Sequence, residues 1–386
     1  MPAQFKHFDL VITEPSFGSR LTDLIIELDY LRKKRLGGTT HPSIFFQLKN
    51  IFHTLESIGS ARIEGNRTTI AEYIETKISS ADVDVKDENI IEIQNMEKAM
   101  DFIDENIRDV LIKRMFLSEL HRIVVGNLSP KREGDYTPGI YRDRNVTIAG
   151  SEHKPPDFTQ VAGYMDELFV FINDNSPSKY DLLKTAIAHH RFVWVHPFSN
   201  GNGRTVRLFT YAMLVKQGFN IDQGRIVNPT AVFCSDRNQY YHFLLQADLG
   251  EKEGVLKWCE YVLGGLKSEI EKIDRLLDYK YLASTILHPA IRFSRERQVI
   301  TDTESKILKV AVEKQVFQAS DIKKLFPGKI SAEISRMLRK LREKKMIVSE
   351  KQNSRKYIIS FGNNFLLRGI ITALGQNGFL PVKDDV

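Results

Sequence analysis

The stretch that most constrains this chain is His196-Pro197-Phe198-Ser199-Asn200-Gly201-Asn202-Gly203-Arg204-Thr205-Val206-Arg207. Gly201 and Gly203 carry no Cβ, so the backbone can bend there and come close to a ligand. With Asn202 between them they make a nest of backbone N–H groups, which suits an anion. The run from Thr205 to Gln217, closed by Gly218, reads as a helix with a glycine stop. A helix N-terminus adds unpaired N–H groups and the positive end of a dipole. Arg204 and Arg207 lie three apart, so both guanidinium groups can serve one face. His196 opens the loop, and an imidazole with its ordinary pKa of ~6.5 suits a general base near neutrality. Anion cradle, arginines and histidine together read as a phosphate-handling site. The plainer alternative is a glycine turn before a helix with two surface arginines, and it leaves the offsets of His196 and Asn202 unexplained.

These residues also resemble the signature of the Fic family of protein AMP-transferases, His-x-Phe-x-(Asp/Glu)-Gly-Asn-Gly-Arg-x-x-Arg. One fixed position departs: Asn200 stands where the family has a carboxylate. The resemblance implies a mainly α fold, a Fic-type helical bundle with a small β-hairpin flap, followed by a C-terminal winged-helix domain. It implies transfer of AMP from ATP to a hydroxyl side chain of a target protein. His196, Asn202 and Arg204 would be catalytic, and Gly201, Asn202, Gly203, Arg204 and Arg207 would hold the nucleotide. A Mg²⁺ ion would be held by residue 200. An amide oxygen is neutral and Mg²⁺ prefers anionic ligands, so the expectation is weakened metal use, with Asn200→Asp raising Mg²⁺ affinity and rate.

Upstream, Ser60-Ala61-Arg62-Ile63-Glu64-Gly65-Asn66 looks like the family's inhibitory motif, (Ser/Thr)-x-x-x-Glu-(Gly/Asn). Alone it reads equally as a helix closed by Gly65 with a solvated glutamate. Beside the loop at 196–207 it implies Ser60 and Glu64 as inhibitory residues, with Glu64 reaching Arg207. The stretch from Gly139 to Gly150 changes to short extended runs about polar turn residues, a hairpin candidate. In the family such a flap holds the target segment by strand addition, so 139–150 is the expected docking place of the target protein. The resemblance further implies that Tyr240 and Tyr241, in a helix beginning near Asp236, line the adenine pocket, with filling of the bundle core as the alternative. His189 and His190 lack the spacing of a zinc site and suit packing or positioning roles.

The 386 residues are enough for two or three domains. The expected division is 1–90 for an N-terminal helical region with the inhibitory motif, 91–288 for the catalytic core and 289–386 for a winged-helix-like domain, with His288-Pro289 as the break. Three helices and a strand pair are expected between Thr303 and Ser360. The third helix and the following turn, 330–356, carry Arg336, Arg339, Lys340, Arg342, Lys344, Lys345, Lys351, Arg355 and Lys356. That basic face implies DNA contact, or else dimer contact with a solvated surface. A net charge of +6 is compatible with nucleic acid without establishing it. No stretch of about eighteen apolar residues suggests a membrane span. Cys234 and Cys259, the two cysteines, have no paired spacing, and a reducing cytoplasm is the simple expectation.

Overall fold

The computed structural model describes residues 5–33, 39–79, 87–148, 151–219, 226–362 and 364–381. Among them the chain is mainly α-helical with one small sheet. It packs as two compact units. The first takes Met1–Arg35, Glu56–Thr68 and Val85–Glu271, and the second Leu36–Leu55, Thr69–Asp84 and Lys272–Val386. These units cut across the expected segments 1–90, 91–288 and 289–386.

The chain opens with α1 (Arg20–Lys33), α2 (Pro42–Ile63) and α3 (Ile70–Ser79). There follow α4 (Glu88–Asn106), α5 (Arg114–Val125), α6 (Val161–Asn173), α7 (Asp181–Val195) and α8 (Asn202–Lys216). Then come α9 (Pro229–Cys234), α10 (Arg237–Asp248) and α11 (Lys252–Asp274). Helices α7 and α8 are the centre of the first unit, and nearly all of their side chains are buried. Helix α6 packs on α7, while α4 and α5 pack on α8. Asp181 in the first turn of α7 complements the helix dipole. The helix ends because His196 turns into the left-handed region (φ 51°) and Pro197 has no N–H to continue the ladder. Helix α8 begins at Asn202, three residues before the expected Thr205, so the glycine loop itself forms its first turn. It is buried all round, which is why it shows no single apolar stripe.

The second unit holds α12 (Tyr279–Leu282), a π-helical turn at Ala283–Leu287 and α13 (His288–Glu296). His288-Pro289 does not break the chain here: the proline sits in the first turn of α13, where its missing N–H is no loss. Next come α14 (Asp302–Lys314), β1 (Val316–Gln318), α15 (Ala319–Leu325), α16 (Ser331–Glu343), β2 (Ile347–Ser349), β3 (Lys356–Ile359) and α17 (Leu366–Gln376). A capping box of Thr301 and Glu304 starts α14. The antiparallel sheet has the order β1-β3-β2, with Val316 opposite Ile358 and Ile347 opposite Ile359. Strand β1 is an addition to the expected pair.

The expected hairpin flap is not formed as paired strands. Residues 139–148 contain no strand, and 149–150 lie outside the described residues. The backbone donor of Arg142 goes to Pro197 O at 2.9 Å, into the glycine loop, instead of to a partner strand.

Candidate active site

His196 stands at the junction of α7 and the loop. Its backbone oxygen accepts from Arg142 Nε at 2.9 Å. The same guanidinium donates to Arg144 O at 3.0 Å, Pro156 O at 2.6 Å and Val195 O at 3.4 Å. Arg142 thus ties the 139–148 segment to the backbone that carries the imidazole. The ring's Nδ1 is buried and has no hydrogen-bond partner among the described residues. Burial, helped by the charge of Arg142, pulls the His196 pKa down to about 4. The ring is therefore neutral, with a lone pair to offer, at pH 7.

Asn202 closes the loop. Its Oδ1 accepts from Phe198 N at 3.0 Å and its Nδ2 donates to Phe198 O at 2.8 Å. Both amide atoms are spent on the backbone, so this side chain shapes the cradle. Phe198 is fully buried and stacks flat on His121, ring centroids 3.7 Å apart. His121 accepts from Gly139 N through Nδ1 at 2.8 Å and donates from Nε2 to Asn200 O at 3.0 Å. Gly201 sits at the N-cap of α8 with φ 71°, and no side chain caps the helix. The first N–H groups of α8 are left for an anion.

Both arginines already have carboxylates. Arg207 Nη2 donates to Glu64 Oε1 at 2.6 Å, and Ser60 receives Arg207 Nε on Oγ at 2.8 Å and Nη2 on its carbonyl at 3.0 Å. A Cβ at position 203 would collide with Glu64 Oε1, so Gly203 is what lets Glu64 in. Burial pushes the Glu64 carboxyl up, but the Arg207 charge and hydrogen bond outweigh it and hold the pKa below the ordinary range. Arg204 Nη2 donates to Glu133 twice, to Oε2 and to the backbone oxygen, each at 2.8 Å. Its Nη1 lies 3.0 Å from Glu92 Oε1, an ion pair whose angle gives neither atom a hydrogen bond. Glu92 is buried on α4, and burial raises its pKa despite the Arg204 charge.

Asn200 has a different job from the one expected. Its Oδ1 accepts from Gly201 N at 2.8 Å, and its Nδ2 donates to Arg132 O at 2.8 Å and Gly134 O at 3.1 Å. The amide nitrogen is a donor that no cation will approach, and the neutral oxygen already accepts one hydrogen bond and keeps one lone pair. Held this way, residue 200 is a poorer Mg²⁺ ligand than a carboxylate would be. Asn200→Asp would lose both bonds to the Arg132 and Gly134 carbonyls, since a carboxylate has no hydrogen to donate.

Residues His196, Ser199 to Arg204 and Glu64 line one cleft of about 820 Å³. Arg237, Tyr241, Leu244 and Leu245 of α10 form part of its wall. Tyr240 does not: it is buried, and its hydroxyl meets His189 Nε2 at 2.9 Å, while His189 Nδ1 meets Thr210 Oγ1 at 2.7 Å. Of the two tyrosines only Tyr241 lines the cleft, and Tyr240 fills the core. His190 pairs with Asp248 at 2.8 Å. The sequence reading missed His121, Arg142, Glu92 and Glu133. Each is an ordinary polar residue in its own segment and acquires meaning only from its tertiary partner.

Fold and cleft together set a neutral histidine and the uncapped start of a helix in one cleft of a helical unit. Residues 111–214 match the Fic/DOC family model. A protein adenylyltransferase Fic from Drosophila yakuba is 32% identical over 206 residues, which are 52% of this chain and 37% of that protein. The chain thus matches little more than a third of the length of such curated relatives. A Fic family protein from Desulfovibrio desulfuricans has a similar fold, with TM-score 0.53 and 20% identity, covering 88% of this chain and 94% of its own. A Fic domain containing signaling protein from Bacteroides thetaiotaomicron has TM-score 0.53 and 17% identity, covering 67% of this chain and 98% of its own.

Proposed function

We propose that the chain is a protein adenylyltransferase that moves AMP from ATP to a hydroxyl of a target protein and is held closed by Glu64. The observation that carries this reading is the opening of His196, the uncapped start of α8 and Arg204 into one cleft, with Glu64 seated across it on Arg207. The phosphates of ATP would lie against the N–H groups of α8, with Arg204 and Arg207 taking the charge of the β and γ groups. His196 would take the proton of the attacking hydroxyl as its oxygen bonds to the α-phosphorus. The bond from that phosphorus to the bridging oxygen breaks, and pyrophosphate leaves. The 139–148 segment, tied to His196 through Arg142, is the place for the target chain. Transfer of label from α-labelled ATP to protein tests the reading. Label is expected to be stronger in Glu64→Gly and absent in His196→Ala.

The wall of the cleft makes a finer expectation. Tyr241→Ala is expected to raise KM for ATP about 2- to 10-fold through lost stacking. Tyr240→Phe is expected to leave KM unchanged and to cost about 1 kcal/mol of stability by stranding His189. Initial rates against ATP concentration and thermal melts check the pair.

A second reading, a DNA-binding regulator whose core senses nucleotide, is favoured by the basic face of the second unit. Arg336, Arg339, Lys340, Arg342, Lys345, Lys351, Arg355 and Lys356 are all exposed there, on or after α16. Three helices with an antiparallel hairpin resemble a winged helix. Binding to duplex DNA is expected to weaken steeply with salt, and reversing Arg339 and Lys340 to glutamate should abolish it in a gel-shift titration. Salt-independent behaviour, or no shift at all, would leave dimer contact as the use of this face.

A further inference from the structure

Three carboxylates pair with Arg204 and Arg207 beside the cleft, and they are not equivalent. Glu92 is 2% exposed at its side chain and its second oxygen is held by Asn66 Nδ2 at 2.7 Å. Removing it would strand the buried Arg204 charge. Glu133 is 36% exposed at its side chain, against 1% for Arg204. It is the partner that water, or another anion, can replace at small cost.

Glu133 is also held in place by design of the turn that carries it. The N–H groups of Arg132 and Gly134 both donate to Ser129 O at 2.9 Å. The carbonyls of Arg132 and Gly134, on either side of Glu133, are both clamped by the Asn200 side-chain amide. Asn200 N adds a bond to Asp135 Oδ2 at 3.2 Å. An amide can make this clamp because Nδ2 brings two hydrogens. A carboxylate at position 200 has none to bring.

Resting on the nucleotide reading above, we propose that Glu133, positioned by the Asn200 amide, stands on Arg204 in place of a phosphate and sets the site's affinity for the β- and γ-phosphates of a nucleoside triphosphate. Arg204 and Arg207 then each carry one exchangeable carboxylate, Glu133 and Glu64, where a triphosphate would put its own oxygens. A nucleoside monophosphate has nothing to gain from displacing Glu133.

Titration calorimetry with ATP, ADP and AMP, first in EDTA and then with Mg²⁺, tests this in the full chain. The comparison uses Glu64→Gly, Glu64→Gly with Glu133→Gln, and Glu64→Gly with Asn200→Asp. Glu133→Gln keeps the backbone oxygen that also holds Arg204, so the arginine stays oriented. It is expected to tighten ATP and ADP about 3- to 10-fold in EDTA, with AMP changed less than about 2-fold. Asn200→Asp unclamps the turn and is expected to shift ATP in the same direction without metal. An unchanged ATP affinity in Glu133→Gln, or equal weakening of ATP and AMP, would show a mere prop and overturn the proposal. A gain in Asn200→Asp that needs Mg²⁺ would return residue 200 to the metal and overturn it too. Failure of Glu64→Gly itself to bind ATP would remove the nucleotide reading and this inference with it, whereas ATP binding without a Glu133 effect removes this inference alone.

Discussion

Replacing Glu64 with glycine is expected to raise AMP transfer from α-labelled ATP by about 10- to 100-fold. The size follows from the contact removed. A hydrogen bond to a charged group contributes about 1.5–3 kcal/mol, and each 1.4 kcal/mol is about tenfold in affinity. Glu64 meets Arg207 at 2.6 Å, so in the proposed arrangement a nucleotide that uses Arg207 would first displace it. The fold should survive the change, because Ser60 still gives Arg207 a hydroxyl and a carbonyl. Helix α2 is already finished at Ile63, so glycine at position 64 breaks no helical turn. The Glu64 pKa is depressed, so the pair is fully formed above the ordinary carboxylate value near 4.5 and is lost only as pH falls through the lowered value. Inhibition therefore holds across the neutral range, and acidification toward neutrality does not relieve it. Equal label incorporation by wild type and Glu64→Gly would sink the idea of a plug.

Loss of His196 is expected to be the most damaging single change to chemistry. His196→Ala should lower the transfer rate of the Glu64→Gly background by about 10²- to 10⁴-fold, the range of a general base. KM for ATP should stay close to its starting value, because the imidazole holds no phosphate in the proposed arrangement. The pH profile is a separate check. With its pKa pulled to about 4, the ring stays deprotonated at pH 6, and kcat/KM should lose its acid limb only near that value. An acid limb centred near 6.5 would mean the ring is solvated and ordinary. The same shift has a stability consequence. Between about 6.5 and 4 the unfolded chain binds the proton and the folded chain does not, so stability falls as pH falls through that window. Thermal melts of His196→Ala should show less of this acid loss than the parent.

Much of the site was legible because its chemistry is local in sequence. The glycine loop, the histidine before it and the arginines after it lie within twelve residues, and each follows from backbone sterics or charge. Helix α7 was readable to the residue, since a run rich in buried residues opens at Asp181 and Pro197 stops it just beyond Val195. What could not be read depends on partners far along the chain. Glu133 lies 71 residues before Arg204, and nothing in its own turn announces a guanidinium. Arg142 looked like part of a strand, yet its donors go to four carbonyls from other segments and its own. Tyr240 and Tyr241 are adjacent in sequence, and only packing tells which one faces the cleft. Asn200 misled for a subtler reason. Residue type there was weighed as a ligand oxygen, while the structure uses the amide nitrogen.

The carboxylates on Arg204 and Arg207 belong to the same molecule as the arginines they cover. The competition with a nucleotide proposed for them would therefore be unimolecular. It does not fade on dilution, and no second copy is needed to restore it. The apparent affinity is the intrinsic one multiplied by the fraction of time a cover is off. Where two covers lift separately, those fractions multiply. A site of this kind is less a gate than an internal yardstick, against which the concentration of triphosphate is measured.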